Sequence, residues 1–249
     1  KDNQIFQNAE EFYRAENGHA IGYFWGYKTA GIFQNQKEIN DWIAAGNGIY
    51  QADVKPGDVK YVDINHDGVI NASDKVDLGN GLPKYTFGFN VNLAWKGFDL
   101  SANFTGAAGF QIAQSYRDPS SSQANYSRRI LKRWTGEGTS NEIPRVTYGD
   151  VGNWLFSDLY LQDGDYIRLQ NLTMGYDFKK LISWKGLSKM RLYFQVQNLF
   201  TLTKYDGMDP EIGSFNGTDG NSSDAWVSGV DMGYYPHPRT FIVGLNLAF

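Results

Sequence analysis

The 249-residue chain has no cysteine and only seven prolines. Without cysteine there is no disulfide framework, no thiolate zinc centre and no thiol nucleophile, and the redox compartment is left open. Few prolines among many aromatics argue against a disordered chain. Positive charge is also in short supply: 23 Lys and Arg stand against 27 Asp and Glu, a formal charge of −4. A nucleic-acid partner, which needs a basic footprint, is therefore not expected. No apolar run approaches the roughly 18 residues of a spanning helix, and the mean hydropathy is −0.47, so a helical membrane protein is excluded. A membrane β-barrel is not, because its strands alternate lipid-facing and lumen-facing residues and read as half polar. The chain opens at Lys1 with neither initiator Met nor signal peptide, and we expect it to be a piece of a longer polypeptide.

What is plentiful is aromatic side chain and glycine: 16 Tyr, 16 Phe, 7 Trp and 28 Gly. Many of these fall in runs of period two, the mark of strands with one apolar face. In residues 85–95, Tyr85, Phe87, Phe89, Val91, Leu93 and Trp95 oppose Thr86, Gly88, Asn90, Asn92 and Ala94. After Lys96-Gly97, a two-residue hairpin signal, Phe98, Leu100, Ala102 and Phe104 oppose Asp99, Ser101, Asn103 and Thr105. Leu172, Met174, Tyr176 and Phe178 form a third apolar face, and Phe241, Val243, Leu245, Leu247 and Phe249 a fourth. Residues 190–203 supply a fifth run, 160–171 are expected to extend the third, and 20–33 are a weaker strand candidate. Charges within the clean segments, Asp99 and Asp177, lie on the polar side. That segregation suits either a bilayer or a protein core.

Connection lengths favour the bilayer. Long stretches near 34–83, 107–159 and 204–238 alternate with short ones at 96–97 and 179–189, whereas soluble sandwiches mix turn lengths at both ends. The long stretches carry two helical patterns. Residues 36–45 align Ile39, Trp42 and Ile43 ahead of Gly46, a C-terminal stop. Residues 123–134 align Tyr126, Ile130 and Trp134 beneath Arg128, Arg129, Lys132 and Arg133, a solvated basic face or a contact for a partner or lipopolysaccharide phosphate.

One motif carries sharp chemistry. Residues 63–74 read Asp-Ile-Asn-His-Asp-Gly-Val-Ile-Asn-Ala-Ser-Asp, close to the twelve-residue calcium loop. Ca2+ takes six to eight oxygens, and the spacing lets Asp63, Asn65 and Asp67 converge while Gly68 permits the sharp turn. Val69 would offer its carbonyl, Asn71 would ligate directly or through water, Asp74 would close the shell, and Ile70 would anchor inward. The flanks do not read as a helix pair, so the ion is expected to staple a long loop.

Catalytic signatures are missing. His19, His66 and His237 are scattered, and Asp163/Asp165 and Asp209/Glu211 read as loop tips or turns rather than a glycosidase pair. An enzyme is not expected. Loop aromatics, among them Trp154, Tyr205 and Trp226, are candidates to stack on sugar rings or peptide side chains.

Several separated motifs then resemble the C-terminal part of a SusC/RagA-type TonB-dependent outer-membrane transporter of Bacteroidota. They are Gly22-Tyr23-Phe24-Trp25-Gly26-Tyr27-Lys28-Thr29-Ala30-Gly31-Ile32-Phe33, Gly57-Asp58-Val59-Lys60-Tyr61-Val62-Asp63, and Gly79-Asn80-Gly81-Leu82-Pro83-Lys84-Tyr85-Thr86-Phe87-Gly88. Asp165 to Tyr176, Gln197-Asn198-Leu199-Phe200, Asp209-Pro210-Glu211 and the final strand ending in Phe249 complete the series. The resemblance implies an all-β fold, with residues 1–249 forming the C-terminal segment of a transmembrane antiparallel barrel of about 22 strands. The calcium-type loop lies outside, while the plug and N-terminal strands lie beyond this chain. Implied partners are a SusD-like surface lipoprotein, the remaining plug and barrel portion, TonB acting through that portion, outer-membrane lipid, and a glycan or peptide ligand. Six or seven strands from this chain are expected in the wall. A soluble surface carbohydrate-binding β-sandwich stabilised by calcium is the alternative.

Overall fold

A computed structural model describes residues 5–9, 12–115, 128–147, 152–213 and 228–249. The chain divides into two compact units, each assembled from separated stretches. One, the loop unit, takes residues 1–82, 111–162 and 212–233; the other, the wall, takes 83–110, 163–211 and 234–249.

The loop unit is built of short strands. β1 (Ile5–Ala9), β2 (Tyr13–Glu16), β3 (Tyr23–Tyr27) and β6 (Lys75–Asn80) form an antiparallel sheet in that order, and β4 (Thr29–Ile32) pairs with β5 (Val59–Tyr61). β9 (Gln111–Gln114) lies between β10 (Leu161–Asp163) and β13 (Val230–Asp231), the latter parallel to it. The one α-helix among the described residues, α1 (Gln36–Ala44), forms where the apolar spacing predicts it. The Asn35 side chain accepts from the Glu38 N–H at 2.9 Å, and Glu38 reaches back to the Gln34 N–H at 2.6 Å, satisfying donors that a helix start leaves unpaired. Gly46, at φ +82°, takes the left-handed turn after it. Tyr27, Ile32, Val59, Tyr61 and Ile70 form one core cluster, with Trp134, Leu155 and Leu159 packed against it. Tyr13, Phe24, Ala113 and Val230 form another.

The wall is a single antiparallel sheet in the order β14 (Thr240–Ala248), β12 (Lys189–Thr203), β11 (Tyr166–Asp177), β8 (Phe98–Ala108), β7 (Tyr85–Trp95). Lys96 at φ 49° and Gly97 at φ 98° put both turn residues in the left-handed region, as the type I′ hairpin requires. Register then carries the alternation straight across the sheet. Leu93, Leu100, Met174, Phe194 and Val243 stand opposite one another in one row. Asn90, Asn103, Asn171, Gln197 and Thr240 make a row on the other face. Eleven residues of β7 extend about 36 Å, or roughly 25 Å of height at a 45° tilt, which matches the apolar band of a membrane barrel.

The apolar face is open. Phe89 is 47% exposed, Leu93 60%, Phe241 61% and Val243 72%. A sandwich would bury such a face under a second sheet, and this exposure goes against that alternative. Both short connections, 96–97 and 178–188, lie at one end of the sheet, and the long stretches leave from the other. The short-turn end carries an aromatic group: Phe98 packs against Tyr176 with ring centres 4.3 Å apart, Tyr176 meets Phe178 edge-on at 4.9 Å, and Trp184 meets Phe249 edge-on at 6.2 Å. Aromatic girdles mark the interfaces of membrane barrels.

Three expectations need correction. The wall has five strands from the described residues, not six or seven, because residues 20–33 become β3 and β4 of the loop unit. Residues 160–171 are not one strand: β10 ends at Asp163, and β11 begins in another sheet at Tyr166. At Gly164 a Cβ would lie 2.4 Å from the Phe110 ring, and its N–H donates to the Phe110 carbonyl, so the chain turns there. Phe178 leaves its strand and enters a short 3-10 turn, whose N–H at Lys179 is capped by Asp177.

Candidate functional site

The calcium-type loop folds as a nest of carboxylate and amide caps. Asp63 accepts from the Gly68 N–H at 2.7 Å and the Asp67 N–H at 3.3 Å. Asn65 accepts from Asp67, Asp67 from Val69, and Asn71 from Ser73. Asp74 takes the Ile64 N–H at 2.9 Å on one oxygen and the Asn71 N–H at 2.8 Å on the other. Gly68, at φ +82°, makes the sharp turn, Ile70 is buried in the core cluster, and Val69 bridges Ile49. Gly68 and Ile70 thus take the turn and the inward anchor that the motif predicts, while its side-chain oxygens are engaged by the loop's own N–H groups.

Asp63 and Asp74 are 2% and 0% exposed, and their oxygens accept from backbone N–H groups. Carboxylate and amide oxygens are the donor types that a hard divalent ion takes. Burial pushes the Asp63 carboxyl up, yet the N–H groups of Gly68, His66 and Asp67 outweigh it and hold it below the usual range. The ligand oxygens are not drawn to bonding distance here. Asn65 donates to Asp67 at 2.9 Å, and among the described residues the trio with ligand atoms within 4.8 Å of one another is Asp209, Glu211 and His237.

That second cluster was not foreseen. Arg168, 3% exposed on β11, donates to Asp209 at 2.5 Å, to Glu211 at 2.7 Å and to Thr201 at 2.9 Å. Asp209, 7% exposed, also accepts the backbone N–H groups of Glu211 and His237, both at 3.0 Å, and lies 2.9 Å from the His237 Nδ1. Burial raises the Asp209 carboxyl, while the N–H groups of Glu211 and His237, the His237 ring and Arg168 pull it below the usual range. With a guanidinium between the carboxylates, the group is an anchor for both ends of the 204–239 stretch and not a cation site. Asp209 and Glu211 are thus more than turn residues, and His237 is not isolated. The available signal was Arg168, the one basic residue of a strand whose other charge is its terminal Asp177.

A bulge explains how Arg168 reaches this place. Leu172, Met174 and Tyr176 occupy the apolar face, and strict alternation would put residue 168 there too. The register shift between Leu169 and Asn171 restores the opposite sense. Arg168 stands opposite Thr105, on the polar face with Asn103; bulges are devices that re-aim a side chain. Lower on that face Arg191 forks onto Asp99 at 2.5 and 2.8 Å. The fork crosses above Gly175, where a Cβ would lie 2.5 Å from the guanidinium.

Another anchor ties the loop unit. Asp58, 2% exposed, receives Arg145 at 2.6 and 3.1 Å, Asn153 at 2.8 Å and the Lys55 N–H at 2.8 Å. Of the aromatics expected to touch substrate, Trp154 is half-buried in a short turn of the loop unit. Tyr205, in the wall, is 5% exposed; its face is covered by protein and does not present a stacking platform. Trp226 lies outside the described residues. Tyr234 and Tyr235, 44% and 89% exposed, are open instead.

No family model matches the chain. TonB-dependent receptor P3 of Formosa agariphila is 34% identical over 93% of the chain, which spans 22% of that receptor. TonB-dependent receptor SusC of Bacteroides thetaiotaomicron is 29% identical over 81% of the chain, spanning 18% of it. Among solved structures, the RagAB peptide importer in its open-open state has a TM-score of 0.65 at 20% identity, covering 98% of this chain and 24% of that one. Its closed-closed state gives 0.66 at 21%. The chain thus spans about a quarter or less of the proteins it resembles. Likeness by sequence along nearly all its length, and by fold to a barrel importer, places the chain with the SusC/RagA-type TonB-dependent receptors of the outer membrane, as a C-terminal segment of their β-barrel.

Proposed function

We propose that this segment serves import of a nutrient across the outer membrane, in a transporter driven by TonB and lidded by a SusD-like surface lipoprotein, with a glycan or an oligopeptide as cargo. The observation that carries the reading is the two-faced wall: an exposed apolar row on one side, an amide and hydroxyl row on the other. Lipid takes the first, and the second lines a wet path whose neutral groups bind weakly enough to release cargo. The Arg191–Asp99 fork adds no net charge to that path. Binding and gating involve no covalent step. The SusC and RagAB names of the relatives support the partner and the cargo class. The test is uptake of labelled oligosaccharides and oligopeptides by cells carrying the complete transporter. Uptake lost on deleting either TonB or the lipoprotein is expected; uptake indifferent to both would overturn the reading.

The 63–74 loop is, in this reading, a Ca2+ staple held by Asp63, Asn65, Asp67, the Val69 carbonyl, Asn71 and Asp74. The ion would neutralise two buried carboxylates and stiffen the connection between β5 and β6. Titration of the chelator-stripped receptor with Ca2+ should release heat and slow proteolysis between residues 60 and 80, and Asp63→Asn should abolish both. No heat and unchanged cleavage would dismiss the staple.

A further inference from the structure

The loop unit carries a basic turn that none of the foregoing uses. Arg128, Arg129 and Lys132 fall within one 3-10 segment, Arg128–Lys132, and Arg133 follows it. With three residues per turn, Arg129 and Lys132 share one face and Arg128 lies next to it, and among the described residues no salt bridge to any of the four cations is found. That is unusual in a chain of net charge −4, where acids outnumber bases. Leu131, 73% exposed, projects among them.

The turn is not loose. Trp134, immediately after it, packs against the core cluster and donates its N–H to the Ile143 carbonyl at 2.8 Å. The Arg133 N–H donates to the Ile130 carbonyl at 3.1 Å, and its guanidinium reaches the same oxygen at 3.3 Å. Arg129 and Arg133 are half-buried, while Arg128 and Lys132 are exposed. A half-buried Arg129 beside exposed Arg128 and Lys132, around an exposed leucine, makes a surface that suits an anionic amphiphile: phosphate oxygens accept from the cations, and an acyl chain meets the leucine. β8 and β11, which bound this stretch of chain, both meet it at the long-loop end of the wall, the outer side of such barrels.

We propose that Arg128, Arg129, Lys132 and Leu131 form a binding site for the phosphate groups of outer-leaflet lipopolysaccharide. The proposal rests on outer-membrane placement and not on import, so failure of the transport assay leaves it standing. The experiment uses the complete receptor in detergent, with lipopolysaccharide and its enzymatically dephosphorylated form as probes, and counts bound lipid by native mass spectrometry. The wild type should retain the phosphorylated form on the order of tenfold better than the dephosphorylated one. Reversing three charges (Arg128→Glu, Arg129→Glu, Lys132→Glu) should erase that preference, whereas Lys185→Glu on the short-turn side should leave it. Should the reversed protein not fold, the neutral triple with Gln at the same three positions decides the matter. Equal retention of both lipid forms by the wild type, or an unchanged preference in the triple variant, would overturn the proposal. So would a triple variant that keeps its lipid and instead loses affinity for a SusD-like lipoprotein.

Discussion

Phe24 in the loop unit is fully buried, while Phe89 in the wall is 47% exposed, and both belong where they are. The loop unit folds as a water-surrounded body does: it turns Tyr23, Phe24, Ile32, Phe33 and Ile39 inward and fastens its segments with buried ion pairs. The wall turns the same residue types outward in register and keeps its polar groups on the other side. The difference teaches that solvent, not composition, decides which face is apolar. Hydrocarbon on one side of the sheet does for Phe89 what a packed interior does for Phe24.

The comparison breaks hardest at Asp58. Replacing it with Ala removes the carboxylate that Arg145 and Asn153 share and should cost the loop unit about 3–5 kcal/mol, as loss of one partner of a buried pair does. Hydrogen exchange should rise across residues 55–61 and 141–154, while β11 and β12 stay protected; equal loosening of both units would show that they do not fold independently. Next comes Phe89→Arg, which places a cation on the lipid face at a cost of about 2–4 kcal/mol, whereas Asn90→Arg on the polar face should cost far less. Unfolding of the complete receptor in lipid vesicles measures the pair, and similar losses would mean that the sheet does not sort its faces by solvent. A smaller effect, about 1 kcal/mol, is expected for Asn35→Ala, since Asn35 caps α1 in the loop unit alone; amide exchange in residues 36–39 reads it. The smallest is a pH effect at the base of the 204–239 stretch. Asp209 has its carboxyl pKa lowered by folding, so its contribution is present above the unfolded carboxylate value of about 3.9 and is lost only as pH falls through the lowered value. Limited proteolysis of that stretch should be the same at pH 7 and pH 5 and increase only in more acid buffer. An increase between pH 7 and 5 would show that the Asp209 carboxylate is not what holds the tie.

The wall was legible because a sheet with one solvent per face writes its period directly into the sequence. Tyr85 to Trp95 shows it without exception, and Lys96-Gly97 fixes the register of the next strand. α1 was legible for the corresponding reason at period 3.6. The loop unit was not, since its strands of two to six residues are too short to display a period, and their partners lie far off in sequence: β13 pairs with β9 across more than a hundred residues. The calcium-type loop declared itself through a strict local spacing. Arg168, Asp209, Glu211 and His237 did not, because their meeting depends on strand register and a bulge, neither of which leaves a compositional mark.

That bulge sets different tolerances for different kinds of genetic change. Gln170 is the extra residue that lets one strand be greasy outward below and cationic inward above. Replacing its side chain leaves the parity intact, but deleting the codon would rotate everything above it by half a period, presenting Arg168 to acyl chains and letting go of the external segment it holds. At this spot the receptor is far more sensitive to a three-base deletion than to any missense change, and a codon-deletion scan through β11 should show one sharp minimum in surface display there.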